Sequence, residues 1–263
     1  MKSFLSRWFS EEKPQRVDAF LPERQTVYCV GDIHGRLDLL QQLQQSILND
    51  AAESGSHRTL IYLGDYIDRG DQSKEVIDHL LESPLAGFET IHLLGNHEQT
   101  MLDFLQHPKA AAGWLTFGGL ACLRSYGIKV NIDYKSNNIS NIRDELQVKL
   151  PQSHLDFLQS CKFIHFEGSY CFVHAGLRPG VPIGEQRNED LLWIRDDFTR
   201  SQVIHDHIVV HGHTINQEVE FLPNRIGIDT GAYQTGVLTC LVLEGKQQRL
   251  LQTGVGASFA REG

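Results

Sequence analysis

Five short apolar runs, each followed closely by residues that can bind a metal ion, constrain this chain more than any other feature of its 263 residues. The runs begin at Thr26, Thr59, Ile91, Cys171 and Ile208, and glycine or histidine follows each of them. Short β-branched and aliphatic runs of this kind are typical of buried strands. In open α/β sheets, side chains from distant parts of the sequence converge at the carboxyl ends of the strands. The sequence therefore predicts an α/β fold with a polar site at one edge of a sheet.

Carboxylate, imidazole and amide groups follow the runs, and we interpret them as candidate metal ligands. They are Asp32, His34, Asp65, Asn96, His174 and His213. This set is larger than one metal ion needs and suits two. Asp65 is the natural bridge, because each oxygen of one carboxylate can bind a different ion. His211 ends the fifth run but is out of phase with the turn, so we favour His213 as the ligand.

Two residues beside the candidate ligands suit phosphate chemistry. Arg69 follows Asp65 by four positions and carries a planar, permanent charge that matches phosphate oxygens. His97 follows Asn96 directly and need not bind metal, so it could act as a general acid, with Asp68 orienting its ring. Taken singly, these motifs could be a surface ion pair beside a turn and a helix N-cap. Their succession in one chain argues for a catalytic site.

Segments with helical periodicity alternate with the first three apolar runs. Leucine and isoleucine recur at helical spacing over residues 37–48, a second amphipathic segment covers roughly 73–82, and a third helix begins right after residues 96–98. Strand, helix, strand, helix, strand over residues 26–95 predicts a parallel arrangement. Four short segments near the end predict a second, largely antiparallel or mixed sheet, namely 219–222, 226–228, 236–243 and 247–251.

The predicted fold class is α/β, a layered α-β-β-α sandwich of two mixed sheets flanked by helices, with a helical insertion. Residues 108–160 form this insertion, because the composition changes there to alanine, glycine and aromatic residues, followed by segments with helical periodicity. We expect an N-terminal extension at 1–24, a single domain at 25–255 and a C-terminal tail at 256–263.

Composition excludes several classes of function. The net charge is −9 and no block of Lys or Arg occurs, which argues against a nucleic-acid partner. The five cysteines are scattered, without a Cys-x-x-Cys pair, and favour a reducing, cytoplasmic location. Charged residues interrupt the N-terminal apolar residues, so no signal peptide is expected, and no run approaches the length of a membrane span.

In this order, the motifs resemble the calcineurin-like metallophosphoesterase superfamily, closest to its phosphoprotein phosphatase branch and the bacterial and bacteriophage lambda phosphatase-like members. The resemblance covers residues 26 to about 231, within the domain predicted at 25–255. It implies that one metal ion binds Asp32, His34 and Asp65. It implies that the other binds Asp65, Asn96, His174 and His213.

The same resemblance implies catalytic roles. His97 would be the catalytic acid, Asp68 its partner and Arg69 a phosphate clamp. A second family arginine follows a tryptophan, and Arg195 after Trp193 fits that pattern, although Trp193 could equally be a core residue. Thr214 and Ile215 follow His213 where the wider superfamily often has another histidine, and this agrees with the phosphatase branch.

The function that the resemblance implies is a phosphomonoesterase that uses two divalent metal ions, with manganese expected first and iron, zinc, nickel or cobalt as alternatives. A metal-bridging hydroxide would attack phosphorus directly, without a serine or cysteine nucleophile. The leading substrate is a phosphoprotein, with Ser/Thr or Tyr left open, because the substrate-groove sequences of the eukaryotic enzymes have no match here. The alternative is hydrolysis of a small phosphoester such as a dinucleoside polyphosphate. A non-catalytic scaffold would have lost ligands or the catalytic histidine, whereas this chain has every one.

Overall fold

A computed structural model of the chain describes residues 19–52, 57–130, 139–254 and 259–261. The predicted extension and tail therefore lie largely outside the described residues, apart from 19–24 and 259–261. Leu21, near the end of the predicted extension, is buried, and its backbone N–H donates to the Gly245 carbonyl at 2.8 Å. The division of the chain at residues 25 and 255 stays a prediction.

Short strands supply the framework of the fold. In chain order they are β1 (Gln25–Val30), β2 (His57–Tyr62), β3 (Glu89–His92), β4 (Ile164–Glu167), β5 (Tyr170–Val173), β6 (Ile208–His211), β7 (Glu220–Phe221), β8 (Arg225–Gly227), β9 (Thr239–Glu244), β10 (Gln247–Gln252) and β11 (Phe259–Arg261). Each of the five runs identified in the sequence contributes to a strand, and in most cases the observed strand begins one or two residues earlier.

Helices connect and cover the strands. They are α1 (Leu37–Ala51), α2 (Ser73–Glu82), α3 (Asn96–Gln106), α4 (Gly119–Ser125), α5 (Ile139–Lys149), α6 (Gln152–Ser160), α7 (Asn188–Trp193), α8 (Asp196–Thr199) and α9 (Ala232–Thr235), with short 3-10 turns at Ala112–Thr116 and Ile183–Glu185. The described part of the segment 108–160 contains α4, α5, α6 and a 3-10 turn, joined by turns and coil, and its bounds stay a prediction. Its helices α4, α5 and α6 bury residues in the same core as α1 and α2.

The strands form two mixed sheets. The first has the order β11-β10-β9-β1-β2-β3, in which β1, β2 and β3 are parallel, as predicted, and β9 is antiparallel to β1. The second has the order β4-β5-β6-β8-β7, in which β5, β6 and β8 are parallel and the two outer strands are antiparallel to their neighbours.

The assignment of the last two predicted strands to the second sheet was wrong. The segments 236–243 and 247–251 correspond to β9 and β10, which extend the first sheet beside β1. The reason is burial, because β9 buries apolar residues on both faces. Leu241 and Leu243 face the second sheet, while Cys240 and Val242 face the helices, so β9 needs an interior position.

Alternation along the strands separates three layers of core. Tyr28 and Val30 of β1 pack with the helices, whereas Val27 and Cys29 pack against the second sheet. On the outer face of the second sheet, Val173 packs with residues of α7 and α8. Burying each large apolar side chain stabilises the fold by roughly 1.5–3 kcal/mol relative to exposure. The layers are helix, sheet, sheet and helix, which confirms the predicted fold class.

No described helix has both the length and the apolarity that crossing a bilayer requires. Each of the five cysteines is free and buried. The cytoplasmic location stays a prediction.

Candidate metal centre

The carboxyl ends of β1, β2, β3, β5 and β6 bring the six predicted metal ligands together in a buried cluster. They are Asp32, His34, Asp65, Asn96, His174 and His213. Each lies within a few residues of the end of its strand, and Asn96 is the first residue of α3. The candidate ligands therefore converge, as the positions of the strand ends predicted. Two of them share the loop after β1, and each of the others follows a different strand.

Asp65 stands between two groups of candidate ligand atoms. Its Oδ2 lies 3.4 Å from Nε2 of His34, and its Oδ1 lies 3.5 Å from Nε2 of His174. The Asn96 side-chain oxygen lies 2.8 Å from His174 Nε2 and 2.8 Å from His213 Nδ1. The two groups able to hold an ion are His34, Asp65 and His97, and Asp65, His174 and His213. This geometry gives one oxygen of Asp65 to each group.

Backbone carbonyls fix the orientation of two of the imidazoles. Nδ1 of His34 lies 2.9 Å from the Ile67 carbonyl, and Nδ1 of His174 lies 2.9 Å from the Leu63 carbonyl. Because a carbonyl only accepts, each ring carries its proton on Nδ1 and turns the lone pair of Nε2 towards Asp65. Burial lowers the pKa of His34 to about 3 and also lowers that of His174. Neutral imidazole is the form that binds metal ions.

The donor set fits divalent cations. Burial, reinforced by the nearby carboxyls of Asp229 and Asp65, raises the pKa of Asp32, a sign that the group is short of positive charge. Oδ1 of Asp32 and Nε2 of His213 are buried without a hydrogen-bond partner. Buried carboxylates and neutral imidazoles are costly unless paired or bound to metal. The residues present could therefore hold two divalent metal ions.

Asp32 differs from the other predicted ligands in its placement. Its Oδ2 accepts the backbone N–H of His213 at 3.0 Å, and its carboxylate belongs to neither three-residue group. His97 stands in the first group instead, with Nε2 3.9 Å from Oδ2 of Asp65. His211, which we had set aside, is buried against Phe198 and also lies outside both groups. The geometry thus offers two candidates, Asp32 and His97, for the remaining ligand of the first ion.

His97 and Asp68 form a buried pair beside the clusters. Nδ1 of His97 donates to Oδ2 of Asp68 at 2.6 Å, and the indole Nε1 of Trp114 donates to the same oxygen at 2.8 Å. Burial acts to lower the pKa of His97, but the carboxylates of Asp65 and Asp68 outweigh it and raise the pKa. The two carboxylates therefore favour the charged imidazole, while the guanidinium of Arg69, whose Nη2 lies 3.3 Å from Nε2 of His97, opposes it.

Arg69 and Arg195 lie at different depths. Nη2 of Arg69 is 3.3 Å from Nε2 of His97, which places this guanidinium directly beside the clusters. Arg195 is exposed and lines a pocket of about 470 Å³ with Trp193 and Arg187. The Trp193 ring lies 6.3 Å from that of His213, so this pocket adjoins the second group of ligands. Trp193 is 43% exposed, so it is not the core residue that was the alternative.

Glu98 organises the site although the sequence analysis gave it no role. Its two carboxylate oxygens accept the backbone N–H groups of Asp65, Tyr66, Ile67 and Gly95 at 2.8–3.2 Å. Glu98 therefore ties the loop after β2 to the start of α3 and sets Asp65 relative to Asn96. The signal was available, because a glutamate three residues after a helix N-cap commonly reaches back to backbone N–H groups.

Three further residues were also missed. Asp229 follows the short strand β8 just as the predicted ligands follow theirs, so the same pattern could have identified it. Trp114 and Tyr233 carried no local signal, because they reach Asp68 and Arg69 from distant parts of the chain.

The backbone at the site adopts unusual conformations. Positive φ angles between 48° and 72° occur at His34, Asp65, Asp68, Arg69 and His213. Residues other than glycine rarely adopt this left-handed backbone conformation, and each instance costs on the order of 1–3 kcal/mol. Such conformations persist where the surrounding structure enforces them, and they cluster at functional sites.

Comparisons with known proteins agree with this geometry. A family model described as Calcineurin-like phosphoesterase matches residues 25–234. Serine/threonine-protein phosphatase 2 of Escherichia coli (strain K12) is 28% identical over 223 residues, which cover 81% of this chain and 90% of that protein. A symmetrical bis(5'-nucleosyl)-tetraphosphatase of Xanthomonas campestris is 31% identical over 156 residues, which cover 59% of this chain but only 39% of that relative.

A solved structure supports the same fold. The cold-active protein-tyrosine phosphatase of a psychrophile, Shewanella sp., superposes with a TM-score of 0.62 at 17% sequence identity, covering 93% of this chain and 82% of that one. Its low identity makes it evidence for the fold alone. The family match over residues 25–234 shows that the chain belongs to the calcineurin-like phosphoesterase family, and the buried ligand cluster agrees with it.

Proposed function

We propose that this protein is a phosphomonoesterase that depends on two divalent metal ions and acts on phosphoproteins. The observation that carries the proposal is the position of Asp65. Its two oxygens face separate groups of imidazole ligands, and the His97–Asp68 pair lies directly beside them. A bridging carboxylate with an adjacent proton donor is the arrangement that metal-assisted hydrolysis of a phosphoester requires.

Asp32, His34, Asp65, Asn96, His174 and His213 would hold the two ions, for which manganese is the first expectation. When bound, such ions lower the pKa of a shared water and polarise the phosphoryl oxygens. Arg69, deeper than Arg195, would bind non-bridging phosphate oxygens through its planar fork. His97, protonated at Nε2 and held at Nδ1 by Asp68, would donate its proton to the departing alkoxide.

The likeness to the E. coli protein phosphatase, which covers most of both chains, supports the phosphoprotein substrate, although a bis(5'-nucleosyl)-tetraphosphatase is matched with similar coverage. The pocket that adjoins His213 has a rim that carries the exposed side chains of Trp193 and Arg195. An open rim is compatible with a phosphorylated side chain presented by a large partner. Within this proposal, phosphoserine and phosphothreonine are the first expectation and phosphotyrosine is the alternative.

Hydrolysis of a dinucleoside polyphosphate is the second candidate. The likeness to the Xanthomonas tetraphosphatase favours it, whereas the pocket beside His213 offers both arginine and acidic side chains. There an exposed indole could stack on a base, while Arg187 and Arg195 could meet phosphates beyond the one at the metal ions. Both candidates use the same catalytic residues, so they differ in what the rim binds.

A side-by-side turnover assay tests the proposal. The Mn²⁺-loaded protein is given phosphoserine, phosphothreonine and phosphotyrosine peptides and diadenosine tetraphosphate at matched concentrations, with Asp65→Asn as the inactive control. Faster turnover, as kcat/KM, of any of the peptides supports the phosphoprotein proposal. Faster turnover of diadenosine tetraphosphate replaces it with the second candidate. Turnover of neither by protein that retains both ions would point to a scaffold without catalysis.

A further inference from the structure

The short helix α9 carries Tyr233 to the metal centre on a loop that is tightly fixed. Oδ1 of Asp229 accepts the backbone N–H of Gly231 at 2.9 Å, immediately before the helix. Nη1 of Arg36, from the loop after β1, donates to the Ala232 carbonyl at 3.0 Å. Gly231 has φ of +68°, a left-handed conformation that suits glycine and turns the chain back towards the site. These contacts place Tyr233 with little freedom to move.

Tyr233 contacts Arg69 in two ways. The guanidinium carbon of Arg69 lies 4.6 Å from the centroid of the tyrosine ring, and Nη1 donates to the tyrosine hydroxyl at 2.7 Å. The other terminal nitrogen, Nη2, lies 3.3 Å from Nε2 of His97. The ring of Tyr233 also meets the His34 ring edge-on at 5.3 Å. The stack fixes the plane of the guanidinium, and the hydroxyl fixes one end of it.

The tyrosine that holds Arg69 carries no charge. Over the part of the chain that the structure describes, Arg69 makes no ion pair with a carboxylate. By contrast, Arg36, Arg178 and Arg249 each pair with aspartate. A carboxylate would hold Arg69 as firmly but would neutralise it. A phenol and an aromatic face orient the guanidinium and leave its positive charge available to an anion.

We propose that Tyr233 is a positioning residue that aims Arg69 at a bound phosphoryl group without neutralising its charge. The inference rests on the proposed function, in which Arg69 binds phosphate oxygens. The hydroxyl and the ring of Tyr233 contribute separately. The hydroxyl limits the rotation of the Arg69 guanidinium, and the ring supports the plane of that group. Tyr233 acts through Arg69 and makes no bond to the reacting atoms.

The experiment measures phosphate binding directly, so that it does not depend on turnover. The dissociation constant of inorganic phosphate is determined by calorimetry on Mn²⁺-loaded wild type, Tyr233→Phe and Tyr233→Leu, each also in an Arg69→Ala background. Tyr170→Phe is the matched control, because its hydroxyl accepts a hydrogen bond from Gln248 at 3.0 Å outside the site. Manganese content and melting temperature are measured for every variant.

Loss of the hydroxyl in Tyr233→Phe should weaken phosphate binding about five- to tenfold, the effect of one hydrogen bond to a charged group at a half-exposed position. Tyr233→Leu should weaken it by a further factor of about two to five, because the stacking contact is also lost. With p-nitrophenyl phosphate, KM should rise by similar factors while kcat changes less. Manganese content should stay at the wild-type value.

The double variants decide whether Tyr233 acts through Arg69. In the Arg69→Ala background, Tyr233→Phe should cause no further loss, because the contact that it removes is already absent. An equal loss in both backgrounds would overturn the inference, as would unchanged phosphate binding in Tyr233→Phe. Wild-type protein that binds phosphate but hydrolyses no phosphoester would refute the proposed function and leave this inference standing. No phosphate binding by the wild type would remove both.

Discussion

Replacing His97 by alanine tests the most consequential assignment in the site. His97 is 4% exposed, its Nδ1 lies 2.6 Å from Asp68, and its Nε2 lies 3.9 Å from Asp65. These distances allow two roles, either as the general acid or as a ligand of the first metal ion. The two roles predict different losses on substrates with different leaving groups.

A general acid matters most when the leaving group is a poor one. The alkoxide of phosphoserine must gain a proton as the P–O bond breaks, whereas p-nitrophenolate leaves as a stable anion. General acid catalysis contributes about 10²–10⁴-fold. We therefore expect His97→Ala to lose that much kcat/KM on a phosphoserine peptide and far less on p-nitrophenyl phosphate. Manganese content should remain at two ions per chain.

The structure also sets the cost to stability. Oδ2 of Asp68 accepts hydrogen bonds from His97 and Trp114, and Oδ1 of the same carboxylate is buried without a partner. His97→Ala removes one of two donors to a buried charge, which should lower the free energy of unfolding by about 1.5–3 kcal/mol. His97→Asn is the matched variant, because an amide can still donate to Asp68 but cannot protonate the leaving group.

His97→Asn should thus recover part of the stability and none of the activity on the phosphoserine peptide. Steady-state kinetics on both substrates, elemental analysis and urea unfolding check these expectations. A uniform loss across the two substrates, together with loss of one metal ion, would refute the reasoning. His97 would then be a ligand, and the mechanism would need another acid.

Further predictions concern the metal bridge, the outer arginine and a remote ion pair. Asp65→Asn should lower the affinity for both metal ions, whereas Asp32→Asn should mainly affect one, as elemental analysis of the purified variants would show. Arg195→Ala should lower kcat/KM on monoesters by about ten- to thirtyfold, or about 1.4–2 kcal/mol, which lies at or below the low end of the roughly 2–4 kcal/mol of a buried contact because the side chain is exposed. Burial acts to raise the pKa of Asp50, but hydrogen bonds, led by those from Arg249, outweigh it and lower the pKa. Asp50→Asn should therefore cost about 1 kcal/mol in urea unfolding at about pH 7, and the cost should shrink as the pH falls below about 4, where Asp50 of the unfolded chain is protonated first and Asp50 of the folded protein follows at lower pH.

Each of these predictions has a contrary outcome. Two ions bound at full occupancy in Asp65→Asn would remove the bridging assignment. Wild-type kinetics in Arg195→Ala would make Arg195 and Trp193 a structural pair. A stability difference for Asp50→Asn that is the same at about pH 7 and at about pH 2.5 would show that the ionised carboxylate is not what stabilises the fold.

The candidate ligands could be predicted from sequence because each lies close to the end of its own strand. His34 follows β1 and His213 follows β6. The carboxyl ends of these strands lie at the site, whatever path the chain takes between them. The information is therefore local, and the convergence follows from the architecture of α/β sheets.

The supports of the site could not be predicted in the same way. Trp114 reaches Asp68 across 46 positions, and Tyr233 reaches Arg69 across 164. Such contacts depend on how the segment 108–160 and the loop before β9 are placed on the core, and no local pattern encodes that placement. The prediction of the sheet to which β9 belongs failed for a related reason. A two-residue period shows which face of a strand is buried but not which strand lies beside it.

The left-handed backbone at His34, Asp65, Asp68, Arg69 and His213 has a consequence for engineering. Glycine adopts this conformation without a steric penalty, but His34→Gly would also delete a buried imidazole and leave the Ile67 carbonyl without its hydrogen bond. The backbone strain of about 1–3 kcal/mol at each position is therefore maintained by the same side-chain contacts that orient the candidate ligands. A variant that relieved the strain would lose those contacts as well, so engineering for heat resistance has little to gain at these positions.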